Sequence, residues 1–391
     1  MNDSAGHLLA MIRDGRATTR SDLRRLTGLS RTAVVTRLTQ LSDAGLVLLG
    51  EELASTGGRP PGSLVFAADA AVVLAVAVGR SRTQLGVFDL AGSELASTEL
   101  GHDVGAEPDD VLPDVVVALR GLLDELGSPV VGGVGVGLPG TVSPELGVSV
   151  DSPVMRGWDG LDVAPVFAGF GVAEEGVPVW VDNDADVLAR AERLGPLADV
   201  REMLVVKAST GLGMGIVSAG RVVHGHLGGA GEIGHVPVPA AEGRVCRCGA
   251  TGCLETLAAG WALAARLAER GHEVDHVRDL VALAQAGDPE ARQLLREGGR
   301  VLGEALAVAV NLLNPQYVVL GGDMAEAFDS YAAGVRESLY ARASALATRE
   351  LQVVPSTYGV RSGLVGCAAL ALARLLDPAR VDRRLAARAR S

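Results

Sequence analysis

Gly231-Glu232-Ile233-Gly234-His235 and, ten residues further on, Cys246-Arg247-Cys248-Gly249-Ala250-Thr251-Gly252-Cys253-Leu254-Glu255 form the most informative stretch of this 391-residue chain. One histidine and three cysteines fall in the pattern H-x10-C-x-C-x4-C, with one further cysteine, Cys367, elsewhere. An imidazole nitrogen with three thiolates is a closed tetrahedral donor set for zinc. Gly249 and Gly252 let a short loop wrap an ion without Cβ clashes. Free thiols or a redox pair are the competing readings. C-x-C is awkward for a local disulfide, and clustered cysteines suit metal binding in a reducing compartment. His235, Cys246, Cys248 and Cys253 are therefore read as ligands of a structural Zn2+ with no position left open for water. Cys367 lies in an apolar segment and reads as core.

Outward from this loop the chain alternates strand and helix patterns. Residues 71–79, 84–89, 130–137, 177–181, 203–206, 215–218, 221–224, 317–320 and 351–354 read as strands. Residues 109–126 and 185–194 read as helices, and helices dominate beyond Glu255. Alternation of this kind implies an α/β architecture. Ahead of it, residues 3–49 have helical texture, and Gly57-Gly58-Arg59-Pro60-Pro61-Gly62 is the clearest linker signal. The apolar run at residues 70–78 is far short of the ~20 residues that span a bilayer, and the first turn of sequence carries charge where an export signal needs apolar residues. The expectation is a cytoplasmic protein with no membrane partner.

Within the first segment, Val34, Leu38 and Leu41 share one helical stripe behind Ser30, a plausible N-cap. Thr32, Thr36 and Thr39 fall on the opposite face, flanked by Arg31 and Arg37. Small polar side chains toward base edges with arginines beside them suit a major groove. Residues 46–66 then read as a wing, with Arg59 reaching a minor groove. A helical packing module without DNA contact is the plainer alternative.

The charge balance bears on that choice. The chain carries 35 basic against 47 acidic residues, a net −12. Residues 1–63 hold +2, the tail 378–391 holds +4, and residues 64–377 hold −18. A modestly basic head on an acidic body excludes a protein that coats DNA nonspecifically, but leaves site-specific binding open, because screening over ~8 Å limits how far the body is felt. Lys207 is the single lysine, a bias read as compositional.

The zinc-loop stretch resembles the signature of the ROK family, which groups sugar-responsive repressors with sugar kinases. The resemblance extends through Pro139-Gly140, Asn183-Asp184, Thr210-Gly211-Leu212-Gly213, Asn311-Leu312-Leu313-Asn314-Pro315 and Gly321-Gly322, and the helix-turn-helix with its Gly-Arg-Pro wing is similar to the repressor branch. It implies a winged helix-turn-helix DNA-binding domain over 1–66, then a two-lobed actin-like ATPase (ribonuclease H-like) fold. The first lobe is expected at 70–184 plus 363–380. The second, with the zinc loop and an oligomerisation surface, is expected at 185–362. By the same resemblance Asn183, Asp184, Glu232, His235 and Glu255 would hold sugar hydroxyls, carboxylates accepting and asparagine doing both. His235 would turn one ring nitrogen to zinc and the other to the sugar.

The family's kinases carry an Asp in an early phosphate loop. Here Ala77 takes its place, and Arg80 replaces a close-approach glycine. Without that carboxylate, phosphoryl transfer lacks its metal anchor. Ala208-Ser209 precede a partly kept second phosphate loop, Val154 stands where sugar kinases often present Asn, and Asp184 matches the general base, read here as vestigial. The expected protein is a sugar-responsive transcriptional regulator, most simply a repressor and not an enzyme. It would bind operator DNA as a homodimer or homotetramer with a sugar or sugar derivative as effector. An ATP-dependent sugar kinase with a fused DNA-binding head, and a protein-binding hub with a vestigial cleft, are the rivals.

Overall fold

The computed structural model describes residues 3–52, 62–143, 145–152, 155–171 and 176–388. Arg59 and Val154 lie outside the described residues. The first helices are set by their caps. α1 (Ala5–Arg13) starts at Ser4, whose side chain accepts from the His7 amide. α2 (Arg20–Thr27) opens with a reciprocal Thr19–Asp22 capping box and stops at Gly28 in the left-handed region. α3 (Arg31–Asp43) begins at Ser30, which accepts from Ala33. β1 (Val47–Glu52) and β2 (Gly62–Phe66) form an antiparallel ribbon, Val47 opposite Phe66. Leu8, Leu9, Leu23, Leu38 and Leu41 are buried between these elements, each worth about 1.5–3 kcal/mol.

Two five-stranded sheets follow, built on one plan. In the first, β3 (Val72–Val78) is flanked on one side by β4 (Arg82–Asp89) and β5 (Glu94–Gly101), both antiparallel to their neighbours. On the other side come β6 (Val131–Leu138) and β9 (Val179–Asn183), in parallel pairing. α4 (Pro108–Glu125) and the short α5 (Ala164–Phe167) cover one face, and a small hairpin, β7 (Thr141–Val142) with β8 (Ser149–Asp151), hangs beyond β6. The second sheet repeats the order. β10 (Met203–Ala208) is flanked by β11 (Leu212–Ser218) and β12 (Arg221–Val222), then in parallel by β13 (Tyr317–Gly321) and β14 (Gln352–Pro355). This is a two-lobed α/β fold. Strand β5 was not read from the sequence, and β12 ends at Val222, which leaves His224 off the strand.

Two helices lie between the sheets. α6 (Asp184–Glu192) packs on β10 and β11, while α13 (Ser362–Leu375) crosses β3, β6 and α6. Val187, Leu188, Val73, Ala75, Met203 and Val319 share one apolar core there. The helices α7 (Glu255–Ala258), α8 (Gly260–Ala268), α9 (Val277–Gln285), α10 (Pro289–Leu313), α11 (Phe328–Arg342) and α12 (Ala345–Thr348) build the rest of the second lobe.

The last helix, α14 (Pro378–Arg388), turns back onto the first. The Gly6 amide donates to Asp382 Oδ1 at 2.9 Å. A Cβ at Gly6 would stand 2.2 Å from the Pro378 carbonyl oxygen, so only glycine allows this crossing. Leu8, Leu38 and Val381 belong to the same core cluster as the α13 residues Leu372 and Leu375. Head and first lobe are thus packed through one continuous apolar core. No single helix among the described residues is long and apolar enough to cross a membrane.

Candidate ligand cleft and metal centre

A cavity of about 520 Å³ opens between the lobes. Its floor is set by Asn183 and Asp184 where β9 passes into α6. Asn183 Oδ1 caps that helix by accepting from Ala185 and Asp186, and its Nδ2 donates to the Gly140 carbonyl at 2.6 Å. Asp184 meets Lys207 from β10, Nζ to Oδ2 at 2.6 Å. From the second lobe, Gly231 takes a positive φ of 93° and packs against the Met214 carbonyl, where a Cβ would stand 1.7 Å from its oxygen. That close approach turns Glu232 and His235 into the cavity. Glu232 Oε1 accepts from Thr141 Oγ1 at 3.0 Å, and Glu255 Oε1 accepts from the Leu212 amide at 2.7 Å. All five residues expected to meet a sugar line this one cavity.

Cationic residues that sequence reasoning gave no ligand role line it too. Arg80 sits on the turn between β3 and β4, and Arg247 lies over the Trp261 ring at 4.4 Å. Burial, partly offset by Glu255, pulls the Arg80 guanidinium down from its ordinary pKa; burial and then Arg80 itself pull Arg247 down. Arg82 pairs with Asp323 at 3.2 Å, and Asp323 in turn accepts from Ser209. The signal for Lys207 was its rarity, which read as composition.

The four predicted metal ligands converge. His235 Nδ1 lies 3.9 Å from Cys246 Sγ, Cys248 Sγ lies 3.8 Å from Cys253 Sγ, and all four donor atoms fall within 4.8 Å of one another. With Zn–S near 2.3 Å, the edge of a tetrahedron is ~3.8 Å, so the donor set fits. Without a cation the thiols oppose one another: burial, then hydrogen bonds to Cys248 and Cys246, push Cys253 up to about 12. The cluster can hold a metal ion. With Nδ1 toward the cysteines, His235 Nε2 faces Glu232, 4.0 Å from Oε2.

A second cluster lies behind the cavity floor. His224 Nε2 sits 3.1 Å from Asp182 Oδ1, and Arg190 Nε donates to Asp182 Oδ2 at 2.6 Å. Burial alone would push Asp182 up, but the His224 hydrogen bond and the Arg190 charge outweigh it and hold it below the usual carboxylate range. Burial and the Asp182 charge push Asp186 up to about 8. The Asp182 hydrogen bond raises His224.

On the head, α3 exposes Arg31, Thr32, Thr36 and Thr39, with Val34, Leu38 and Leu41 inward. Thr36 Oγ1 donates to the Thr32 carbonyl, and Arg37 Nη1 donates to the Ala33 carbonyl at 3.1 Å. Arg37 thus folds back along its own helix instead of projecting. It shares a groove of about 330 Å³ with Thr36, Gln40 and the α14 residues Asp382 and Leu385.

The sequence profile of the ROK family matches residues 73–374. The chain belongs to the ROK family. It is 30% identical over 364 residues to the DNA-binding transcriptional dual regulator NagC of Escherichia coli strain K12, covering 88% of this chain and 86% of that protein. A solved ROK family transcriptional regulator, a homolog of the E. coli MLC protein, superposes with a TM-score of 0.80 at 26% identity, covering 97% of this chain and 98% of the other. The ROK hexokinase of Thermus thermophilus gives a TM-score of 0.61 at 29% identity. It covers 78% of this chain and 99% of its own. Regulators of the ROK family thus match nearly end to end, whereas this ROK kinase accounts for about four-fifths of the chain.

Proposed function

We propose that this ROK family protein is a sugar-responsive transcriptional repressor in which α1–α3 and the β1–β2 ribbon form a winged helix-turn-helix DNA-binding domain at 1–66. The first lobe is taken as 70–184 with 363–380, and the second as 185–362. The observation that carries this reading is the near end-to-end match to ROK regulators, head included. The exposed face of α3 supports it: Arg31, Thr32, Thr36 and Thr39 stand clear of the core. Arg37 would have to leave the Ala33 carbonyl to reach a phosphate. Symmetric regulators of this kind bind palindromic operators as a homodimer or homotetramer, in keeping with a cytoplasmic protein.

In the cleft, Asn183, Asp184, Glu232, His235 and Glu255 would hold the effector, and Zn2+ would be held by His235, Cys246, Cys248 and Cys253. When bound, zinc fixes the tautomer and ring orientation of His235. His235 Nε2 is then left to read a hydroxyl beside Glu232. Ligand binding shifts the lobes only if one arrangement binds it better.

A kinase reading is disfavoured by two residues. Ala77 supplies no carboxylate for a metal–phosphate complex. Lys207 holds Asp184, so the candidate base has its proton-accepting oxygen engaged by an ammonium. The test is selection of operator DNA by the full-length protein from random duplexes, followed by titration with sugars and an ATP-turnover assay. The expected result is one palindromic site whose affinity changes with a sugar, without sugar-dependent ATP hydrolysis. Turnover of ATP that depends on a sugar, or no preferred DNA sequence, would overturn the reading.

A further inference from the structure

The body of the chain, residues 64–377, carries 22 basic against 40 acidic side chains. The cavity wall reverses that ratio: Arg80, Arg82, Lys207, Arg247 and Arg278 face Asp184, Glu232, Glu255 and Asp323. Pairing accounts for part of this set. Lys207 is held by Asp184, and Arg82 by Asp323 and Glu99. Thr141 donates to Glu232.

Arg80 and Arg247 are left with Glu255, which is already engaged. Its Oε1 accepts from the Leu212 amide, and its Oε2 accepts from Trp261 Nε1 at 3.4 Å. Arg80 Nε is buried without a hydrogen-bond partner. A half-buried guanidinium lacking a partner is costly, and a second one close enough to repel it raises that cost.

Both arginines are nevertheless well positioned. The Arg80 carbonyl accepts from the Gly105 amide at 2.6 Å, and Gly79 donates to Arg82 across the turn. Trp261 supports the Arg247 guanidinium from one side. Guanidiniums pre-oriented around an unfilled space suit an oxyanion, which they bind with charge-assisted and often bidentate hydrogen bonds.

We propose that the effector of this cleft is an acidic sugar, whose hydroxyls meet Asn183, Glu232, His235 and Glu255 and whose phosphate or carboxylate sits between Arg80 and Arg247. This rests on the sugar-responsive reading and narrows its ligand class. The anion completes a charge set that the protein leaves open, so the neutral parent sugar binds without relieving the Arg80–Arg247 repulsion. Arg80 and Arg247 are therefore the residues that set specificity. Phosphate and carboxylate share this chemistry, and the probes separate them.

The experiment is thermal shift and calorimetry on the full-length zinc-loaded protein with matched triplets. For glucose, galactose, mannose and N-acetylglucosamine, the neutral sugar is compared with its 6-phosphate and its uronic acid, with inorganic phosphate alone as a control. In at least one triplet an acidic member should bind about tenfold or more tightly than its neutral parent, and more weakly as salt rises. The member that binds identifies the source of the anion. R80M and R247M should each reduce that preference by about tenfold. Because Arg247 lies between two zinc ligands, zinc content is measured for both variants, and R80M stands independently of the loop. Neutral members binding as tightly as their acidic partners, or both variants keeping the preference with zinc intact, would overturn the proposal and leave the repressor reading standing. Silence across every triplet together with unchanged operator affinity would remove both.

Discussion

Two clusters in this molecule have a donor set that can hold a metal, and they differ in one respect. His235, Cys246, Cys248 and Cys253 gather three thiols and an imidazole with no cationic side chain hydrogen-bonded to a sulfur among the described residues. Asp182, Asp186 and His224 gather two carboxylates and an imidazole, with the Arg190 guanidinium already bonded to Asp182 and 3.3 Å from His224 Nε2. The first arrangement calls for a cation from outside. The second carries its own in Arg190 and holds a proton on Asp186 as well. Donor count and spacing do not distinguish a metal site from a polar joint; the internal charge balance does.

The largest expected effect is at the first cluster. Cys248→Ser, or strong chelation of the wild-type chain, should release one zinc per chain and lower stability by several kcal/mol, read by metal analysis and thermal melting. Two zincs per chain in the wild type would break the contrast, since the second cluster should take none. Next in size is Arg190→Met. Asp182 is 4% exposed at its side chain, and stripping a buried carboxylate of its cation costs about 3–5 kcal/mol. A denaturation midpoint within error of wild type would show that Arg190 is dispensable there.

The smallest effect at any one pH concerns Asp186. Its folded pKa is raised, so the folded chain keeps a proton that the unfolded chain loses above its ordinary value of 3.8. That contribution is complete below 3.8 and falls as pH rises toward about 8, at most about 1.4 kcal/mol per pH unit. His224, also raised, acts in the same direction. Asp186→Asn should flatten the decline in stability from about pH 6 to about pH 8. A slope identical to wild type would place the proton elsewhere.

How much of this was legible in the sequence depends on distance along the chain. The zinc ligands lie within 19 residues, and glycine spacing alone suggested their loop. The two-lobed plan followed from strand–helix alternation and from the resemblance. Strand β5, with its exposed, alternating Glu94, Ser97 and Glu99, lacks the apolar run that marked its neighbours. His224 and Asp182 are brought together by β9 and β12 from different lobes, which no local pattern encodes. Lys207 was equally silent: a lysine on a buried strand has meaning only once Asp184 is seen opposite it. Arg37 reads as outward on a helical wheel, yet a long side chain can bend to its own backbone, and this one does.

The fastening of α14 to α1 has a mechanical consequence. α13 begins at Ser362 in the cavity wall and spans 14 residues, a rod of ~21 Å. It joins α14 through a bend of 54°, and α14 is bonded to Gly6 at the start of the head. One end of the linkage therefore stands in the cavity and the other grips the head's first helix, with buried side chains along the way instead of slack chain. Displacement of Ser362 reaches Gly6 with little backlash. The entropy of orienting the head is lost when the chain folds, so it is not charged again when the head meets its target.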